Sequence, residues 1–305
     1  MAWILCCCMV MWVVPFHGVT STAVAQGQPA AKGEAVAKPV RLPVQYEELT
    51  APQLVDALAA SGGVCMIPLG ILEKHGPHLP LGTDLINGRE VALRAARSEY
   101  AVVFPEYFAG QIFEAKHQPG TIAYSNDLIW KMLQETCDEL ARNGFTKIVL
   151  VNGHGGNTSF LQYFCQSQLS ARRDYVVGLF MPEEDPAVEK RAREMRKTTE
   201  GGHADEVETS MLMAHRPELV HIQDAGKESG EDLKRLEGIP FLYTGIWWYA
   251  RYPNHYAGDG SNGNRELGEI YLASESGQLA TLLKVLKSDR SIRELQDDFF
   301  QETRH

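Results

Sequence analysis

Glu73 and His75 stand two residues apart in the stretch Ile67-Pro-Leu-Gly-Ile-Leu-Glu-Lys-His-Gly-Pro-His-Leu-Pro-Leu-Gly-Thr-Asp84. In an extended segment this spacing sends both side chains to one face. Asp84 follows after a turn stiffened by Gly76, Pro77, Pro80 and Gly82. A carboxylate, an imidazole and a second carboxylate are donors that zinc, manganese or iron(II) accepts.

Two more clusters of the same character lie far along the chain. His154 sits in Asn152-Gly-His-Gly-Gly-Asn157, just past an expected strand end, where open α/β sheets place their ligands. Its glycine neighbours at 153, 155 and 156 allow backbone or substrate to come close. The stretch 201–210, Gly-Gly-His-Ala-Asp-Glu-Val-Glu-Thr-Ser, opens a helix with His203, Asp205, Glu206 and Glu208. Taken singly, each cluster has a plain reading. Glu73 and His75 could be an exposed pair, His154 a satisfied histidine beside a glycine turn, and Glu206 and Glu208 acids favoured by a helix dipole. Their conjunction points to a shared site. His78, His117, His215, His221 and His255 have no such company, and His117 is the best of them for a supporting role.

The elements that must position these residues follow from periodicity. The run 64–72 turns from apolar to polar, with only Pro68 and Gly70 interrupting it, and is short enough for a strand buried on both faces. Helices are expected over 52–60, with Thr50 or Ala51 near the cap, over 85–98 and from a cap at Asn126 to 143. Further helices are expected over 158–171, 183–199, 206–214 and 265–286, with a short last one from 291. Strands are expected at 101–104, 147–151 and 175–180. This alternation implies an α/β fold with a mostly parallel sheet covered on both faces. The segment 223–264 lacks a clear period, carries Trp247, Trp248, Tyr249 and Tyr252, and reads as a functional loop or subunit contact.

Composition narrows the class. The 305 residues include 39 acidic and 29 basic side chains, a net charge of −10 with no basic run, which argues against a nucleic-acid partner. Residues 1–25 carry no charged side chain, have an apolar centre and end in Ala23-Val-Ala25. They read as a cleaved signal peptide, so the protein is expected to be exported, periplasmic or secreted, with no membrane span after cleavage. Residues 26–43, rich in Ala, Gly, Pro and Lys, read as a flexible leader, and 44–305 as one domain. Cys65, Cys137 and Cys165 in the mature chain have no metal-type spacing and suit buried free thiols.

The motifs at 73–84, 119–121 (Pro-Gly-Thr), 152–157 and 201–210, in that order, resemble those of the creatininase family, the creatinine amidohydrolase-like metal enzymes. The resemblance implies a three-layer α/β/α fold, a homo-oligomer, commonly a hexamer, and two divalent cations (zinc, manganese or iron) per chain. It also implies cleavage of non-peptide C–N bonds in a small-molecule amide. Matched by position, Glu73, His75, Asp84 and His154 are metal ligands, with Asp84 the bridge. The family has a further glutamate ligand two residues after the second histidine motif's histidine, where this chain has Gly156. Glu208 is the candidate replacement and Glu206 the second choice. His203 is assigned the proton for the leaving nitrogen, with Glu206 as a catalytic carboxylate beside it. The expected reaction is attack by a hydroxide held between cations about 3.5 to 4 Å apart. Creatininase closes over creatinine with tryptophans between the second and third histidine motifs. This chain has no tryptophan between Trp130 and Trp247, which argues against creatinine itself. Asp205, where many relatives have glycine, is expected to add charge at the pocket edge.

Other chemistries fit less well. No Gly-x-Ser-x-Gly or His-Glu-x-x-His motif occurs, and the Gly-x-Gly-x-x-Gly match at 258–263 follows no buried strand. A two-metal phosphoesterase, or a catalytically degenerate metal- or solute-binding relative, remains the alternative.

Overall fold

The computed structural model describes residues 42–303. The expected signal peptide, and the expected leader apart from Leu42 and Pro43, lie outside them. Leu42 and Val44 pack against the core, and Pro43 O accepts a hydrogen bond from Tyr100 at 2.9 Å, so packing begins two residues before the expected domain start.

Helix α1 (Ala51–Ser61) opens on a capping box between Thr50 and Gln53 and stops at Gly62, whose φ of 60° suits the left-handed turn. Strand β1 (Val64–Leu69) is buried along its whole length. Then come α2 (Thr83–Ser98), β2 (Val102–Val103), α3 (Asn126–Arg142), β3 (Lys147–Asn152), α4 (Thr158–Ser167), β4 (Val176–Leu179) and α5 (Pro186–Met195). The four strands form one parallel sheet in the order β2-β1-β3-β4, with Val64 level with Lys147 and Leu69 with Asn152. The second half adds β5 (Gly201–His203), α6 (Glu206–His215), α7 (Trp247–Arg251), β6 (Ala257–Gly258), α8 (Arg265–Ser288) and α9 (Ser291–Glu302). Strands β5 and β6 make a separate antiparallel pair.

Alternate residues of β1 face opposite layers, as a period of two requires. Cys65, Ile67 and Leu69 join Leu133, Cys137 and Leu140 of α3 and Phe164 of α4. Val64 and Met66 join Val91 and Ala95 of α2 and Leu272, Leu279 and Leu283 of α8. The protein thus has the expected three-layer α/β/α architecture. Among the described residues no helix is long and apolar enough to cross a membrane. Cys65, Cys137 and Cys165 are free thiols.

Several boundaries differ from the sequence expectation for local reasons. Strand β1 ends at Leu69, where Gly70 slides past the start of α2: a Cβ there would lie 2.4 Å from Leu85 N. Helix α2 begins at Thr83, so Asp84 stands in a helical first turn. Ser125, not Asn126, is the cap of α3. The charged 183–199 segment is helical only over 186–195, where the Asp185 carboxylate accepts from the amides of Ala187 and Val188.

Candidate metal centre

The site forms at the C-terminal ends of β1 and β3. Beyond β1 the chain runs through Glu73, whose amide donates to Leu81 O at 3.0 Å, and turns at Gly76, with φ of 56°. His75 and Leu79 bridge across that turn. The first turn of α2 is pressed onto the strand ends through Gly153, where a Cβ would lie 2.4 Å from Asp84 O. Only glycine permits that approach, and it brings Asp84 to His154. From the second half, Ala204 takes a φ of 56° between β5 and α6, turning His203 and Glu208 toward the same place.

Asp84 shares its oxygens between two imidazoles. Its Oδ1 is 2.8 Å from His75 Nε2 and its Oδ2 is 2.9 Å from His154 Nδ1. Glu73 Oε1 lies 3.0 Å from His154 Nδ1, and Glu208 Oε2 lies 3.9 Å from His75 Nε2. His203 Nδ1 stands 3.9 Å from Glu73 Oε1 and 4.0 Å from Glu208 Oε2. Three donor sets result, Glu73/Asp84/His154, His75/Asp84/Glu208 and Glu73/His75/His203, each with its atoms within 4.8 Å of one another. Donors 2.0–2.1 Å from a tetrahedral zinc sit about 3.3 Å apart, so the spacing is that of a ligand shell. Glu73 Oε1 and Asp84 Oδ2 are buried with the single nitrogen His154 Nδ1 between them, an arrangement that a positive charge, proton or cation, must balance. The residues present therefore fit divalent metal.

Protons carry that compensation when no metal is bound. Burial opposes charge on His75, but Asp84 with Glu73 and Glu208 raises it to about 10. Burial likewise works against His154, which Glu73 and Asp84 hold well above the usual imidazole value. Glu73 is held well below the carboxylate range, against burial, chiefly by His154 and His203. Burial pushes Glu208 up to about 8, against the pull of His75. His203 differs from the other two histidines: burial, with His75 and His255 nearby, lowers it to about 3, and its Nε2 is committed to Lys74 O at 2.8 Å.

Of the sequence candidates, Glu73, His75, Asp84, His154, His203 and Glu208 converge and Glu206 does not. The Glu206 carboxylate accepts from the amides of Lys197 and Thr198 and the Thr198 hydroxyl, so it anchors the turn before β5 rather than serving as ligand or catalyst. Asp205 caps α6, accepting from Val207 N and Glu208 N, instead of charging a pocket edge. The space beside Gly156 is already taken, for a Cβ there would lie 2.4 Å from His154 Nε2 and 2.8 Å from Glu114 Oε1. His117 is exposed and bonded to Pro253 O. His255 is the residue the sequence reading missed. It is buried against the cluster with Nε2 on Glu73 Oε2, and Trp248 lies edge-on to His203 at 6.0 Å. A tryptophan does reach the site, from beyond the stretch in which one was sought.

A cavity of about 200 Å³ opens beside Asp84 and Glu208, walled by Phe180, Pro182, Met211 and Glu275. Glu208, whose side chain is 31% accessible, also lines it.

Comparison with known proteins agrees with this geometry. The family model described as creatininase, creatinine amidohydrolase, matches residues 47–283. A creatinine amidohydrolase of Pseudomonas putida is 30% identical over 189 residues, covering 57% of this chain and 73% of the relative. A mycofactocin precursor peptide peptidase of Mycolicibacterium smegmatis is 36% identical over 102 residues, 32% of this chain and 41% of its own. The crystal structure of a creatinine amidohydrolase superposes with a TM-score of 0.69 at 24% identity, covering 81% of this chain and 99% of that one, and shares the fold. The chain, with its buried carboxylate and imidazole donors at the strand ends, belongs to the creatininase family of metal-dependent hydrolases.

Proposed function

We propose that this protein is an exported amidohydrolase that opens a non-peptide C–N bond, in a cyclic amide, formamide or lactam, at a two-cation centre and as a homo-oligomer. The observation that carries the reading is Asp84, with one oxygen toward His75 and the other toward His154, while Glu73 stands 3.0 Å from His154 and both Glu73 and Glu208 stand 3.9 Å from His75. Solved creatininases are described in a Zn–Zn type and in a manganese form, which supports a divalent pair here. Cations held there would lower the pKa of a water and polarise the substrate carbonyl.

The chain's own residues supply the rest. His203 has its Nε2 proton engaged by Lys74 O, so Nδ1 faces the cluster as a lone pair. That nitrogen relays to the leaving nitrogen the proton of a water that bound cations would acidify, and its lowered basicity favours the release. The cavity is smaller than the roughly 300–1,000 Å³ of drug-sized sites, which favours a small molecule over a peptide. Burial pushes Glu275 on its wall up to about 7, and that carboxyl is placed to hydrogen-bond a polar substituent. The charge-free residues 1–25 support export. The exposed Ile239, Phe241, Leu242 and Tyr243 support association of copies.

The test is elemental analysis of protein purified without chelator, followed by a screen of cyclic amides, formamides and lactams against phosphate esters. Two metals per chain and amide turnover are expected, and Asp84→Ala should lose both. Full metal content and full rate in that variant would overturn the assignment.

A further inference from the structure

The segment that lacked periodicity in the sequence carries a hydrogen-bonded chain into the metal centre. Trp248 Nε1 donates to His255 Nδ1 at 2.9 Å. An indole nitrogen can only donate, so Nδ1 must be the acceptor and the neutral ring keeps its proton on Nε2. Nε2 in turn meets Glu73 Oε2. His255 is buried, and its backbone is held at φ of 51°, a conformation rare for a residue with a Cβ. Glu73 is left with one oxygen occupied by His255 and the other, Oε1, buried and 3.0 Å from His154 Nδ1.

We propose that His255 is a positioning residue: Trp248 on Nδ1 and Glu73 on Nε2 fix its tautomer and ring, and its Nε2–H fastens one oxygen of Glu73 so that the other alone is presented to a cation. The same bond from Trp248 withholds His255 from the metal, because a protonated ring nitrogen cannot coordinate. The proposal rests on the metal-centre reading and adds to it a residue outside the matched motifs. Partners of this kind orient ligands and typically alter metal affinity ten- to a hundredfold.

Two measurements decide it. In metal-free protein, long-range ¹H–¹⁵N correlation should show His255 with a pyridine-type Nδ1 and a pyrrole-type Nε2. A proton on Nδ1 in the unaltered protein would overturn the proposal without touching the metal reading. Calorimetric titration with zinc should then show about ten- to a hundredfold weaker binding for His255→Leu, and recovery of most of it in His255→Gln, whose amide can donate to Glu73 in place of Nε2. Zinc affinity unchanged in the leucine variant, or glutamine no better than leucine, would reject the positioning role. If His255→Leu does not fold, a several-fold weaker affinity in Trp248→Phe at unchanged thermal midpoint supports the proposal, and an unchanged affinity rejects it. Failure of the unaltered protein to bind zinc would sink the metal-centre reading instead.

Discussion

Residue by residue, the centre stores negative charge that something positive must balance. Without metal, His75, His154 and Glu208 hold protons at pH 7, since His75 is raised to about 10, His154 well above its usual value and Glu208 to about 8. Zinc binding must displace those protons. Titration in buffers of different ionisation heat should show net proton release at pH 7 and affinity that climbs toward pH 9; zero release would contradict this electrostatic picture. Stability has a related dependence. His75 and Glu208 have folded values above their unfolded ones, about 6.5 and about 4.3. Their contribution to the metal-free fold is therefore complete at low pH and is lost as pH rises through about 8 for Glu208 and about 10 for His75. The thermal midpoint of chelated protein should fall between pH 7 and 10, and that of zinc-loaded protein should fall less. The ligand candidates could be read from sequence because each stands in a short motif beside glycine or proline. Glu206 parts from Glu208 for a reason that helical geometry supplies, since residues two apart on a helix diverge by about 200°. His255 gave no local signal, because its partner Glu73 is 182 positions away.

At the level of elements, the alternating pattern gave the strands and helices of the α/β/α layers, since each buries a periodic apolar face. What it could not give was how closely the first turn of α2 approaches the strand ends. That depends on Gly70, Gly88 and Gly153, whose missing Cβ atoms leave room for backbone contact. Gly153→Ala would force its methyl against Asp84 O, now 2.4 Å from that position. We expect a loss of about 1–3 kcal/mol of stability by denaturant titration, with a larger proportional loss of metal affinity because Asp84 moves. An alanine variant with unchanged zinc binding would show that the close approach does not set the ligand geometry. Segment 223–264 escaped assignment because its residues answer to distant partners: Gly258 N bonds Gly230 O, and β6 pairs with β5.

Considered whole, the molecule leaves Ile239, Phe241, Leu242 and Tyr243 exposed on the segment that also bears Trp248 and His255. Light scattering should give a mass of several chains, and Phe241→Asp should shift it toward one; a monomer in both cases would remove the case for assembly. The arrangement of donors along the chain has a consequence for how the centre comes into being. Glu73, His75, Asp84 and His154 all precede residue 155, whereas His203, Glu208, Trp248 and His255 come later. The first half of the chain thus carries one of the three donor sets, Glu73, Asp84 and His154, and the second half closes over it with His203 and Glu208. For an exported chain that closure follows translocation, so the ion enclosed is one that the destination compartment supplies.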